Sequence, residues 1–266
     1  MRRCSAVVLT AVLVLAAFPS AAAAAAWSPD RGFLVWTRQS ESSAAVVRAD
    51  RPGGQVTRLS RPPAGAADLT PQVSPDGSQV VFERDLPDGS TRLVVVRADG
   101  RGSERVVDTG CVDPCAVDVL PAWTPDGRHL TFSRVVGPFV DGNAASAVLY
   151  TADLDGRHVR RLSQPGIDGA FEDCRARYSP TGSFLVFVRV DNATGTTAVF
   201  RMGDDGRDVR QLTPWALSAD HPEISPNRMG GTAGLIVFET HGGAHTEPIQ
   251  DIATVPASCR PGRDCE

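Results

Sequence analysis

The sequence predicts an all-β chain: a β-propeller of about five four-stranded antiparallel blades after a cleaved signal peptide. Three observations predict it. A Ser/Thr-Pro turn recurs five times, with its Ser or Thr at positions 28, 74, 124, 179 and 225, in steps of 46, 50, 55 and 46 residues. An apolar run ending in a large aromatic follows each turn. No segment keeps a helical period over several turns. A repeat of roughly 40–50 residues holding four strands is the mark of a propeller blade, which cannot cover both of its faces alone.

The chain has 266 residues, and its first 26 read as an export signal. Arg2 and Arg3 precede an apolar run, Ala6 to Phe18, broken only by Thr10; Pro19, Ser20 and six alanines follow. A basic start, an apolar core and small residues at the cleavage site define a secretory signal peptide. The apolar run is short for a span of about 20 residues, so no membrane span is expected after cleavage. Cys4 lies before the run, where a lipid-attachment cysteine would lie after it. The expected location is secreted, periplasmic or cell-envelope. Residues 27–255 then form the propeller, and residues 256–266 a cysteine-containing tail.

Export sets the reading of the remaining cysteines, which are expected as disulfides rather than metal ligands. Cys111 and Cys115 enclose a Val-Asp-Pro turn, and Cys259 and Cys265 lie within the tail, so each pair is expected to bond locally. Cys174 is then left over. Five thiols cannot all pair within one chain, and spacing alone leaves the connectivity open.

Each repeat has the same internal order. Ser-Pro-Asp-Gly is a tight turn, in which Pro presets φ and Gly accepts a positive one. The runs FLVW, QVVF, HLTF, FLVF and LIVF come next, ending at Trp36, Phe82, Phe132, Phe187 and Phe238. A second strand, a glycine turn and a short strand ending VTRLS, ERVV, VRRLS or VRQLT complete the unit. Their β-branched and aromatic content, with Gly and Asp between, is a strand–turn signature. The aromatics are expected between blades. The first unit lacks a clear leading strand and the last lacks a closing R-L-T, so the two ends are expected to complete one shared blade.

The run Asp118-Val-Leu-Pro121-Ala-Trp123-Thr-Pro-Asp-Gly127 resembles the TolB-type propeller repeat almost in full. Asp68-Leu-Thr-Pro71 and His221-Pro222 extend the likeness over about residues 27–255. The resemblance implies an exported propeller, with six blades in TolB itself against five copies here. It leaves function open, since similar blades occur in the propellers of certain peptidases. Copy 4 departs with Ala176 in place of Pro, and copy 5 with an MGGTAG insertion.

Composition excludes some partners. All 27 basic residues are arginine, against 31 acidic residues, for a formal charge of −4, or −6 once Arg2 and Arg3 are removed. No basic block appears, which argues against nucleic acid. There is no G-x-S-x-G elbow, phosphate loop or dinucleotide fingerprint. Acidic pairs such as Asp204-Asp205 fall in turns, where Asp serves the backbone. His129 and His158 stand isolated in strands, with no chemical role expected. His221, His241 and His245, beside Glu223, are the candidate metal ligands, although a Gly-Gly loop does not hold His241 and His245 as a helix face would.

Asp68, Asp118 and Asp173 each precede the core residue before the Ser-Pro turn by five places, and Asp220 comes one place later. If the first strand of each blade lines the channel, these four form an acidic rim that attracts a cation or a basic peptide. The competing reading is that each Asp caps backbone amides of the neighbouring blade. The function expected is therefore that of a non-enzymatic exported scaffold binding a protein or cell-envelope component, without cofactor. The alternative is a metal-dependent hydrolase or lyase with its site at the propeller funnel.

Overall fold

The computed structural model describes residues 26–28, 32–112, 115–136, 146–165, 169–225, 234–242, 249–260 and 265. The expected signal segment lies outside these residues except for Ala26, as do the insertion of copy 5 except for Gly234, and His245. The described chain is all-β apart from one short 3-10 turn, Trp215–Leu217. Among the described residues no helix is long and apolar enough to cross a membrane.

Each repeat folds as one antiparallel strand group, taken in chain order. The first holds β1 (Ala26–Ser28), β2 (Phe33–Gln39), β3 (Ala44–Ala49) and β4 (Val56–Arg58); the second holds β5 (Ala67–Val73), β6 (Gln79–Asp85), β7 (Thr91–Arg97) and β8 (Arg105–Val107). A single parallel pairing of Ala44 with Ala67 joins these two groups. The third comprises β9 (Cys115–Trp123), β10 (His129–Val136), β11 (Ser146–Asp153) and β12 (Arg160–Arg161). The fourth comprises β13 (Phe171–Tyr178), β14 (Phe184–Asp191), β15 (Thr197–Gly203) and β16 (Arg210–Gln211). The fifth has three strands among the described residues: β17 (Asp220–Ile224), β18 (Leu235–Thr240) and β19 (Asp251–Pro256).

The Ser-Pro turns work by the same contacts in every copy described. The Ser74, Thr124, Ser179 and Ser225 hydroxyls accept the backbone N–H of Gln79, His129, Phe184 and Leu235, at 2.9, 3.2, 3.4 and 2.9 Å. Gly77, Gly127 and Gly182 follow at φ 70°, 65° and 76°, a region that an L side chain rarely enters. Hydrogen bonds from the Ser74 and Ser78 hydroxyls hold the Asp76 carboxyl down at about 2. These carboxylates are turn chemistry, as expected.

Apolar side chains join consecutive groups. Phe33, Val35 and Val46 pack on Val80, Phe82 and Val94. Val81, Leu93 and Val107 meet Trp123, Leu130 and Phe132. Val117, Val119 and Val135 meet Cys174, Val188 and Val190, and Val186, Val199 and Leu212 meet Ile236, Phe238 and Val255. No such cluster joins the fifth group to the first among the described residues. Phe82, Phe132, Phe187 and Phe238 are buried core residues, as expected; Trp36 is only half-buried.

Two expectations change. Among the described residues the ends do not share a sheet: β1 pairs with β2 and gives the first group its own leading strand. Cys174, expected to be left over, is disulfide-bonded and wholly buried. Burial between the third and fourth groups places this thiol against the inner strand β9, a neighbour that sequence spacing could not show. Cys259 and Cys265 are bonded to each other, as expected. Cys111 is disulfide-bonded, but its expected pairing with Cys115 rests on a side chain outside those described.

Candidate functional site

The leading strand of groups two to five carries one non-glycine residue in the left-handed region: Thr70 (φ 49°), Leu120 (55°), Arg175 (54°) and His221 (48°). Each stands where the ladder to the next strand slips register. A bulge of this kind re-aims a side chain, and an L residue there costs on the order of 1 kcal/mol. Four equivalent bulges thus turn Thr70, Leu120, Arg175 and His221 out of the regular alternation.

The aspartates just before these bulges do not form an open rim. Asp68, Asp118, Asp173 and Asp220 are only 0%, 4%, 0% and 4% exposed. In the second, third and fourth groups each stands directly opposite an arginine of the next strand. The pairs are bidentate: Asp68–Arg84 at 2.6 and 2.8 Å, Asp118–Arg134 at 2.8 and 2.8 Å, and Asp173–Arg189 at 2.7 and 2.9 Å. Each guanidinium also lies over the core aromatic two places before it, Phe82, Phe132 or Phe187, at 5.5–5.6 Å from the ring centre. The competing expectation, capping of a neighbouring blade's amides, differs too. The strand–turn–strand length sets Asp and Arg face to face within one sheet, so the partner is an intrasheet guanidinium.

The fifth group breaks this pattern. Asp220 arrives one place later in its repeat and therefore stands opposite Glu239. Two like charges across a ladder repel, and the neutralising groups come from elsewhere. Arg175 Nε approaches Asp220 Oδ1 at 3.2 Å from the fourth group. His221 Nδ1 lies 3.1 Å from Glu239 Oε2 and 3.8 Å from Asp220 Oδ1, and His241 Nε2 lies 4.0 Å from Glu239 Oε2. Two of the candidate metal ligands, His221 and His241, thus converge on Glu239, which the sequence reading did not single out. Glu223 pairs instead with Arg177 at 2.7 Å. Among the described residues no group of three His, Cys, Asp or Glu is arranged to hold a metal ion.

A buried carboxylate extends the cluster. Glu83, one place after Phe82, accepts the Leu120 N–H at the bulge of β9. Burial, and then the charge of Asp85, pushes its pKa up to about 7, against the opposing pull of the Leu120 N–H, the Arg175 charge and the Thr70 hydroxyl. Arg175 therefore acts on carboxylates of both the second and fifth groups. Sequence reasoning missed Glu83 and Arg175 because neither belongs to the repeated pattern; their interruption of it was the available signal.

His129 and His158, expected to be isolated, meet at the Ser-Pro-turn end of the third and fourth groups. His129 Nδ1 lies 2.9 Å from Asp126 Oδ2 and its Nε2 3.4 Å from Asp153 Oδ1, while His158 Nδ1 lies 2.7 Å from Asp153 Oδ2. The hydrogen bond to Asp153 raises the His158 pKa. These side chains line an open cleft of about 470 Å³ with Arg160, Tyr178 and Asp204. Adjacent hairpin turns bring them together across residues distant in sequence.

No protein-family model matches the chain. The fold does match solved structures. A TolB-designated protein of Agrobacterium tumefaciens superposes with a TM-score of 0.67 at 21% identity, covering 90% of this chain and 78% of that one. TolB of Acinetobacter baumannii gives 0.60 at 19% identity, covering 86% of this chain and 56% of that one, so this chain spans about half of its length. An oligogalacturonate lyase of Vibrio parahaemolyticus gives 0.54 at 14% identity, with coverages of 87% and 64%. The likeness to TolB-type propellers read from the repeats holds at the level of fold.

Proposed function

We propose that this chain is an exported, non-enzymatic five-bladed propeller that binds a basic segment of a protein or cell-envelope component at the channel side of its fifth blade. The observation that carries this reading is the mixed cluster of charged groups at the fifth bulge. In blades two to four each buried Asp has its own bidentate arginine. At the fifth, Asp220 and Glu239 stand opposite each other, Arg175 of the fourth group reaches Asp220 and its charge also acts on Glu83, and His221 lies beside both Asp220 and Glu239 with its side chain 45% exposed. A guanidinium or ammonium group of a partner would meet these carboxylates on a scaffold already held in place by the bulges. The rim expected from Asp68, Asp118, Asp173 and Asp220 thus contracts to Asp220 and its neighbours.

Titration with a labelled oligo-arginine peptide tests this. The expected result is saturable, salt-sensitive binding to the mature chain, weakened about tenfold in the Glu239→Gln variant. Equal binding by both proteins would refute the site. Asp68 and its counterparts serve as controls, because their loss should lower stability first.

A second reading, a metal-dependent hydrolase or lyase at the funnel, draws on the convergence of His221 and His241 on Glu239. Elemental analysis of the purified chain tests it. Near-stoichiometric zinc or manganese, lost on His241→Ala, would favour this reading over the scaffold.

A further inference from the structure

In the first, third and fourth groups the fourth strand is followed directly by Leu-Ser or Leu-Thr, and both residues close the sheet. Leu59, Leu162 and Leu212 enter the core facing the next group. The Ser60, Ser163 and Thr213 hydroxyls accept the backbone N–H of Val46, Leu149 and Val199 on the third strand, at 2.8, 3.1 and 2.9 Å. The fifth group lacks this strand among the described residues.

Its register identifies what the missing strand would cover. Val46, Leu149 and Val199 stand opposite the residue after the core aromatic: Thr37, Ser133 and Val188. In the fifth group that residue is Glu239 and its partner is Ile252. Val46, Leu149 and Val199 are fully buried, whereas Ile252 is 59% exposed. Its N–H is satisfied by the neighbouring Asp251 carboxylate at 2.7 Å. Leu235 and Val237, at the places of Phe33 and Val35, are 50% and 36% exposed where those two are fully buried. Beyond β19, Ala257 and Cys259 belong to the cluster shared with the fourth group, and Arg201 holds the Ala257 carbonyl at 2.7 Å. The described chain therefore turns back toward the fourth group, away from this edge.

We propose that the edge of β19, open among the described residues, and the apolar face beside it bind an extended segment of a partner polypeptide carrying Arg-Leu-Ser, the sequence with which this chain closes its first and third groups. Strand addition supplies main-chain hydrogen bonds at Ile252 and Thr254. The incoming hydroxyl replaces Asp251 at the Ile252 N–H, and the incoming Leu covers Ile252 and Val237. The residue before that Leu pairs, in the closed sheets, with Val47, Tyr150 and Phe200; its counterpart here is Ala253, two places from Asp251 on the same face. A basic residue at this point meets an exposed acidic one, the charge complementarity that selects Arg. A second copy of the chain is not the occupant, because its own closing strands are already paired with the third strands of its own sheets.

The probe is a labelled peptide of residues 157–165, Arg-His-Val-Arg-Arg-Leu-Ser-Gln-Pro, titrated onto the mature chain. It should bind saturably, and a scrambled peptide of the same composition about tenfold more weakly. Thr254→Pro removes one outward N–H and Ile252→Arg removes the apolar contact while repelling arginine. Each should weaken binding at least about tenfold while melting stays close to that of the parent. Equal binding of the native and scrambled peptides would overturn the proposal. So would full binding by both variants. A concentration-dependent dimer in sedimentation that Thr254→Pro renders monomeric would assign the edge to a second copy and equally overturn it.

Discussion

The fourth and fifth strand groups carry the same Ser-Pro pair, the same buried phenylalanine and an Asp at the start of the inner strand, yet their buried charges and outer edges are matched differently. Asp173 finds Arg189 within its own sheet, and the Val199 N–H finds Thr213 just beyond its own fourth strand. In the fifth, Thr240 occupies the place of Arg189, Asp220 reaches to Arg175 of the neighbouring group, and Asp251 covers an amide that no closing strand reaches among the described residues. The difference shows how a repeat gains a distinct surface without losing its fold. Thr240 removes the arginine from across the ladder, one residue of slip before the bulge sets the Asp opposite a glutamate instead, and a sheet of three described strands leaves an apolar face uncovered.

The largest effect that would break this comparison is removal of a self-contained pair. Arg189→Met leaves Asp173 buried with no bidentate partner and should cost about 3–5 kcal/mol, read by urea unfolding. Arg175→Met should cost about 1 kcal/mol, the scale of one charge-assisted contact at a less regular site. Equal costs would remove the distinction between the two groups.

Next in size is the pH response of Glu83. Its pKa lies near 7 in the folded chain against 4.5 for a free side chain. The folded protein therefore binds a proton that the unfolded chain has released, and stability falls as pH rises through this window. Glu83→Gln should raise stability at pH 8 by up to about 3 kcal/mol. Near or below pH 4.5 the gain should vanish, because Glu83 is then protonated in both states. Melting curves across this range check both the size and the sign.

The smallest effects sharpen the contrast at the closing strands. Thr213→Val removes the hydroxyl that receives the Val199 N–H and should cost about 1 kcal/mol. Asp251→Ala frees the Ile252 N–H to water and should stay within about 0.5 kcal/mol. A large loss at Asp251 would mean that the fifth edge is closed by its own residues.

Much of this was written in local pattern. The recurrence of Ser-Pro turns, the aromatics at Phe82, Phe132, Phe187 and Phe238, and the alternation of the runs dictated antiparallel sheets of a TolB-type propeller, because turn geometry and burial of one strand face act over a few residues. The Cys259–Cys265 bond followed likewise from a short loop. What only tertiary structure decided depends on groups distant in the chain. Sequence position alone could not show that Asp68, Asp118 and Asp173 face arginines across a ladder rather than a channel. Nor could it bring His129 and His158 onto Asp153 through the packing of adjacent turns, or set Arg175 between carboxylates of two other sheets. Strands arise from near-neighbour rules, whereas the charge balance of a buried group depends on whatever folding places within a few ångströms of it.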